Sequence, residues 1–127
     1  MDAVRNNNTA GTRLKQRKAA EVFPFLEAYI ARKEQQIADI EQVVERYEHK
    51  RMKEEQAYQT MSPLRRMFSG KKHDHHLAVE YIHYVKQPME QVRRLRLEVE
   101  AAKSIMSSSQ PGDLITLSED LSGALEL

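Results

Sequence analysis

Cysteine and tryptophan are both absent from these 127 residues. Without cysteine the chain has no disulfide, no thiolate nucleophile and no thiolate ligand for zinc, and such a composition suits a reducing compartment. We therefore expect a cytoplasmic protein. No run of about eighteen apolar residues occurs that could span a bilayer, and residues 1–18 lack the apolar core of a signal peptide. Export by that route is not expected.

The familiar signatures of catalysis and cofactor binding are also missing. Glycine is scarce, with four residues in all, and none of them forms a phosphate-binding loop. No nucleophile stands in a recognisable turn. Paired carboxylates such as Glu54 and Glu55 fall on a helix face where water solvates their charge. We predict no catalytic residue, no cofactor and no enzymatic activity.

Charge is abundant and unevenly distributed, although its formal sum is only +1. Residues 1–22 carry five Lys/Arg and two acidic residues, residues 61–76 carry four Lys/Arg and one Asp, and residues 113–127 carry four acidic residues and no base. This distribution divides the chain into a basic N-terminal arm (1–22), a central segment (23–108) and a tail (109–127). A short basic helix is predicted at about Thr12 to Val22.

The central segment contains two apolar seams with heptad spacing, which is typical of coiled-coil-like helices. The first seam is Leu26, Ile30, Lys33, Ile37, Ile40, Val44, Tyr47, Arg51, Glu54, Tyr58 and Met61. The second seam is Ala78, Tyr81, Val85, Pro88, Val92, Leu95, Val99, Ala102 and Met106.

The two seams match when the chain folds back at Ser69 and Gly70, because facing residue numbers such as Tyr47 and Val92 then sum to 139. This register predicts an all-α fold built on a long antiparallel helical hairpin over residues 23–108. A kink or a restart is predicted at Pro24 and a bend at Pro88, since proline cannot donate to the preceding turn.

Apolar residues left outside the seams predict further packing, because a two-helix hairpin covers only one face of each helix. We expect a homodimer, or docking on a larger helical partner, to complete a bundle. A third helix from the N-terminal arm or the tail is the alternative. The residues concerned are Phe23, Phe25, Val43, Met52, Ile82, Met89, Leu97 and Ile105.

The tip of the hairpin, residues 61–76, reads MSPLRRMFSGKKHDHH. Ser62 followed by Pro63 predicts the start of a short helix, and Asp74 is the predicted cap of the second arm. On the short helix we expect apolar side chains to plug the end of the bundle while the two arginines point outward. The plugging residues are Leu64, Met67 and Phe68.

Positive side chains crowd the tip, where the start of a helix disfavours cations. Free helix N–H groups and cations are the ingredients of an anion site, so we predict a site for an anion or an acidic partner. The other interpretation is a solvated basic loop. The predicted site residues are Arg65, Arg66, Lys71, Lys72, His73, His75 and His76.

A metal site is a weaker hypothesis for the same region. His76, Glu80 and His83 share one helix face, and imidazole with carboxylate at this spacing could ligate zinc or nickel. The order of residues differs from the usual zinc motif, so no metal is predicted.

The tail joins a Ser-Gln-Pro-Gly linker to an acidic amphipathic segment. Thr116 and Glu119 resemble a capping box, and a short strand at Leu114 to Leu117 is a further possibility. The segment could dock a partner or fold onto its own basic arm. The docking residues predicted are Leu114, Leu117, Leu121 and Leu125.

Two functions from different classes follow from these features. The first is a non-enzymatic interaction protein, an adaptor, regulator or chaperone, that docks a protein partner through the tip and the tail. The second is a binder of an anionic surface, nucleic acid or acidic phospholipid, through the tip and the N-terminal basic helix. Salt-sensitive binding to DNA or acidic vesicles would favour the second.

Overall fold

A computed structural model describes residues 14–127. The chain is mostly helical, as predicted, but it also contains two strands that an all-α fold does not include. None of the described helices is both long and apolar enough to cross a membrane. The elements in chain order are β1 (Leu14–Lys18), α1 (Ala19–Gln59), α2 (Pro63–Met67), α3 (Asp74–Tyr81), a π-helical turn (Ile82–Lys86), α4 (Gln87–Ser108), β2 (Leu114–Ser118) and α5 (Glu119–Ala124).

Helix α1 is 41 residues long and packs on a second helix. Helix α1 is continuous through Pro24, so the restart that was one of the two predictions for this residue does not occur. Pro24 lies in the second turn, where its missing N–H removes only the bond to the carbonyl of Ala20.

The chain divides into two compact units. The first unit holds the described residues up to Glu34 together with Glu98–Leu127. Its two helical segments run antiparallel, with ion pairs from Lys33 to Glu98 at 3.3 Å and from Lys103 to Glu34 at 3.4 Å. Its core combines residues of α1, α4 and β2 with Leu125, which directly follows α5: Ala19, Val22, Leu26, Tyr29, Ile30, Val99, Ala102, Leu117 and Leu125.

Strands β1 and β2 form an antiparallel pair in the first unit, with Leu14 opposite Ser118 and Lys18 opposite Leu114. The predicted helix at Thr12 to Val22 is therefore wrong over β1; Thr12 itself lies outside the described residues. Strand pairing satisfies the backbone groups of this basic segment. The observed strand β2 agrees with the possibility of a strand at Leu114 to Leu117.

The turn before β2 caps the start of α1. The N–H of Ala19 donates to the carbonyl of Asp113 at 2.8 Å, and the N–H of Ala20 donates to the carbonyl of Pro111 at 3.0 Å. The Asp113 carboxylate in turn accepts from the N–H of Gln110 at 2.7 Å. The stretch predicted as a linker is thus a hydrogen-bonded turn that satisfies two free N–H groups of a helix start.

Helix α5 begins and ends with capping interactions. The Ser118 hydroxyl accepts from the N–H of Leu121 at 3.1 Å, so the capping box predicted at Thr116 is wrong because that residue belongs to β2. At the other end Glu126 has φ 64°, and the N–H of Leu127 donates to the carbonyl of Ser122 at 2.9 Å. This is the hydrogen bond of a Schellman motif.

The second unit is Gln35–Leu97. Its helical arms also run antiparallel, with an ion pair between Glu41 and Arg96. The predicted register is wrong for one pair, because Tyr47 stacks on Tyr84 and not on Val92. The connection between the arms contains the short helix α2, and Gly70 follows it with φ +69°. The buried residues of this unit are Ile37, Val44, Val85, Val92 and Leu95.

A π-helical turn at Ile82–Lys86 joins α3 to α4, and there the N–H of Gln87 donates to the carbonyl of Ile82. Pro88 follows directly and lies inside α4. Because Pro88 cannot donate to the carbonyl of Tyr84, the helix departs from α geometry just before it. The sequence analysis predicted a bend at Pro88, and the observed departure is this wider turn.

Candidate functional site

The tip lies within the second unit, and its first element is the short helix α2. The Ser62 hydroxyl accepts from the N–H of Arg65 at 3.3 Å, and Pro63 takes the first helical position, so the predicted start of this helix is confirmed. Gly70 follows with φ +69°. Asp74 is not the cap of the second arm, because His73 takes that position without a side-chain hydrogen bond.

Three apolar side chains of the tip are exposed to solvent. The exposed fractions are 66% for Leu64, 77% for Met67 and 81% for Phe68. The prediction that these residues plug the end of a bundle is therefore wrong within this chain. Helix α2 has only five residues, and none of them is buried. The apolar seam of α1 ends at the half-buried Met61.

Arg66 caps the end of α1. Its guanidinium donates to the carbonyl of Tyr58 at 3.2 Å and to the carbonyl of Gln59 at 2.7 Å, and it lies 5.5 Å from the centre of the Tyr58 ring. Carbonyls in the last turn of a helix lack partners within it, although that of Tyr58 also accepts from the N–H of Met61 at 3.1 Å, and a cation there complements the helix dipole. The prediction that both arginines point outward is thus wrong for Arg66, whereas Arg65 is exposed.

Two further cations of the tip contact their own chain. The Lys71 ammonium lies 4.6 Å from the centre of the Tyr58 ring, and the Lys72 ammonium pairs with Glu80 at 2.6 Å. The three histidines His73, His75 and His76 are exposed. The seven predicted site residues therefore share one region, but Arg66 and Lys72 hold the fold there and Lys71 lies against an aromatic face.

Glu80 joins the tip to α1 through a small polar network. Its carboxylate accepts from the Tyr47 hydroxyl at 3.0 Å as well as from Lys72. The hydrogen bond from Lys72 and then that from Tyr47 hold the pKa of Glu80 below its usual range. Burial and the hydrogen bond to Glu80 raise the pKa of Tyr47. Sequence analysis missed this network because it assigned Tyr47 to the seam.

A metal site at this network has no support in the structure. No group of three or more ligating side chains converges anywhere in residues 14–127. Glu80 is engaged by Tyr47 and Lys72, and the His83 ring packs edge-on against Tyr84, with 4.7 Å between the ring centres. The candidates His76, Glu80 and His83 share a helix face in sequence but do not form a ligand set.

A surface pocket of ≈ 280 Å³ lies between the end of α1 and the start of α3. Tyr58, Met61 and Leu77 supply its apolar lining, and Lys71 and Glu55 are among the charged residues at its edge. A hydrogen bond from Gln59 and then the charge of Lys71 lower the pKa of Glu55. The pocket can receive an apolar group next to charges of both signs, and it contains no nucleophile paired with a base.

The leucines of the tail have different environments. Leu117 and Leu125 are buried, with 1% and 2% of their surface exposed, Leu121 is half-buried, and Leu114 is 65% exposed. In the structure this segment packs on its own chain, which was one of the two alternatives. Two of the four predicted docking leucines are thereby taken up by the first unit.

Comparison of the chain with protein-family models, curated proteins and solved structures finds no match.

Proposed function

We propose that this chain is a non-enzymatic interaction protein, of the adaptor, regulator or chaperone kind, that docks an acidic target through the tip. The observation that carries the proposal is the exposure of Leu64 and Met67 on the five-residue helix α2 and of Phe68 directly after it. Apolar groups clustered at the surface mark interaction sites in soluble proteins. The target therefore has an apolar surface to receive them.

The charge of the same region defines the second property of the target. The tip, residues 61–76, carries four Lys/Arg and one Asp. A surface with acidic groups complements this sign, and such complementarity speeds association and selects partners. Nothing in the arrangement of the tip resembles a catalytic constellation, so docking is the role we assign to it.

A photo-crosslinking amino acid at Phe68 tests the docking function. We expect adducts with a protein or a lipid from position 68 in a cell extract that retains its membranes, and none from the matched position Phe25, which is also exposed but lies near the start of α1. The purified adduct partner should bind the unmodified chain and should fail to bind L64Q/M67Q/F68Q. Equal labelling from both positions would contradict docking through the tip.

A homodimer and a cytoplasmic location are also part of this proposal. Exposed apolar side chains on the arms of the second unit support self-association, and the lack of cysteine suits a reducing compartment. Light scattering of the full chain at micromolar concentration would return twice the mass of one chain. A monomer at that concentration would remove the dimer from the proposal and leave docking intact. The arm residues are Val43, Met52, Val79, Ile82 and Leu97.

A further inference from the structure

We infer that the target of the tip is a membrane surface rich in acidic phospholipid, into which Leu64, Met67 and Phe68 insert. This inference rests on the proposed docking function and names its target by chemistry. Three observations support the inference. They are the small size of the apolar surface, the charge around that surface, and the contacts that hold α2 in place without using its apolar side chains.

The size of the apolar surface favours a lipid target over a protein target. A stable protein interface buries about 800 Å² and about 20–30 residues on each side. Helix α2 has five residues, and the chain that follows it, Lys71 to His76, is charged or imidazole-bearing. Three projecting apolar side chains are too few for an interface of that class. A lipid surface needs no matching groove, because its chains rearrange around a small projection.

The charges around α2 match the head groups of acidic lipids. Arg65 and Lys71 are exposed and lie close to the apolar residues along the chain, and the Lys71 ammonium is also 4.6 Å from the centre of the Tyr58 ring. Lysines and arginines near an acidic membrane surface each strengthen binding. Of the acidic groups near the tip, Glu80 pairs with Lys72 at 2.6 Å, Glu55 lines the same pocket as Lys71, and Asp74 is exposed. Residues 61–76 nevertheless carry four Lys/Arg against this one Asp. Cations therefore lie where phosphate groups would meet them when the apolar side chains insert.

Helix α2 is held in place by groups other than its apolar side chains. Arg66 bonds to the carbonyls of Tyr58 and Gln59, and Ser62 caps the helix. The three apolar side chains thus stay exposed while α2 keeps its position. Because the inserting surface is already formed, the chain loses little conformational entropy when it binds.

Co-sedimentation of the full chain with vesicles tests the inference. One set of vesicles is phosphatidylcholine alone, and the other contains phosphatidylglycerol in addition. We expect binding to the acidic vesicles only. L64Q/M67Q/F68Q should weaken it by about 30-fold or more, and R65Q/K71Q should weaken it by about 25-fold, since each cation contributes about fivefold. The matched variant F25Q/L114Q changes two exposed apolar residues outside both the tip and the proposed dimer surface and should bind as the unmodified chain does.

Two results would overturn the inference, and they separate it from the proposed function. If acidic vesicles fail to sediment the chain while crosslinks from position 68 identify a protein, the lipid target is wrong and docking through the tip stands. If the chain binds neither vesicles nor a crosslinked partner, both proposals fail. Equal loss of vesicle binding in L64Q/M67Q/F68Q and in F25Q/L114Q would also contradict insertion at the tip. Circular dichroism of each variant checks that it is folded.

Discussion

The Tyr47 ring stacks on the Tyr84 ring, with 4.9 Å between the ring centres and 20° between the ring planes. The stack joins α1 to the π-helical turn of the second unit. One turn away, the Tyr47 hydroxyl reaches Glu80. A single tyrosine thus makes an aromatic and a polar contact with the opposite arm, and this fixes which residues of the two arms face each other near the tip.

The stack should be measurable as a coupling free energy. Tyr47→Ala and Tyr84→Ala, alone and together, should show a coupling of about 0.5–1.5 kcal/mol in urea unfolding. The control cycle combines Tyr58→Ala with Tyr84→Ala; Tyr58 contacts Lys71 and Arg66 instead. Its two changes should be additive within about 0.5 kcal/mol. Additivity in the Tyr47 cycle as well would show that the stack contributes nothing.

The Glu80 network predicts a pH dependence. Because the folded pKa of Glu80 is lowered, its contribution to the free energy of unfolding is present above the unfolded pKa of about 4.3 and is lost as pH falls through the lower folded value. Glu80→Gln should therefore be less stable than the unmodified chain at pH 7, and the difference should shrink below about pH 4. Thermal unfolding at both pH values measures it. If the difference in stability between the unmodified chain and Glu80→Gln grew on acidification, the folded pKa of Glu80 would not be lowered.

The sequence predicts the helical seams well where both arms are regular. Val44, Val92 and Leu95 were assigned to the seams and are buried. At the tip the same pattern fails, since Ala78 and Tyr81 are exposed. Heptad spacing assumes regular helices in a constant register, whereas the short helix α2 and the π-helical turn both interrupt that regularity.

The strand pair could not be predicted from local sequence. LKQRK has the composition of a basic helix and lacks the aromatic and β-branched residues that strands prefer. Its partner LITLS lies about a hundred residues further along the chain, at Leu114–Ser118. A strand whose stability comes from so distant a partner leaves little signal in its own residues.

The tip was predicted only in part, because the sequence reveals interactions between neighbouring residues but not those that the fold brings together. The cap at Ser62 and Pro63 depends on neighbouring residues, and the sequence identified it. Arg66 was misassigned because its function depends on the carbonyls of Tyr58 and Gln59, which the fold of the loop brings within reach. Side-chain contacts of this kind depend on how the connection folds and not on spacing along one helix.

Arg66 and Arg65 form a matched pair for testing this difference. Arg66→Gln removes the hydrogen bonds to two carbonyls at the end of α1 and should lower the free energy of unfolding by about 1 kcal/mol. Arg65→Gln changes an exposed guanidinium and should alter it by less than about 0.5 kcal/mol. Urea unfolding of both variants measures the difference. Equal effects would mean that Arg66 does not cap the helix.

The tail offers a second matched pair. Leu117→Ala removes a side chain that is 1% exposed and should destabilise the first unit by about 2–4 kcal/mol. Leu114→Ala, at a position that is 65% exposed, should change stability by less than about 0.5 kcal/mol. Chemical unfolding followed by circular dichroism distinguishes them. A neutral Leu117→Ala would mean that the tail does not pack on its own chain in solution.

Two glycines give opposite predictions from the same substitution. At Gly70 and at Gly123 an added Cβ meets no atom within 4 Å, so neither change creates a clash. Gly123 lies in α5, where alanine is the better helix former, and Gly123→Ala should stabilise the chain by about 0.5–1 kcal/mol. Gly70 has φ +69°, a conformation that disfavours a Cβ, so Gly70→Ala should destabilise it by about 1 kcal/mol. Because neither added Cβ meets another atom, the sign of the change in stability depends on the backbone conformation alone. Thermal unfolding of both variants measures it. A shift of both melting temperatures in the same direction would contradict the left-handed turn at the tip.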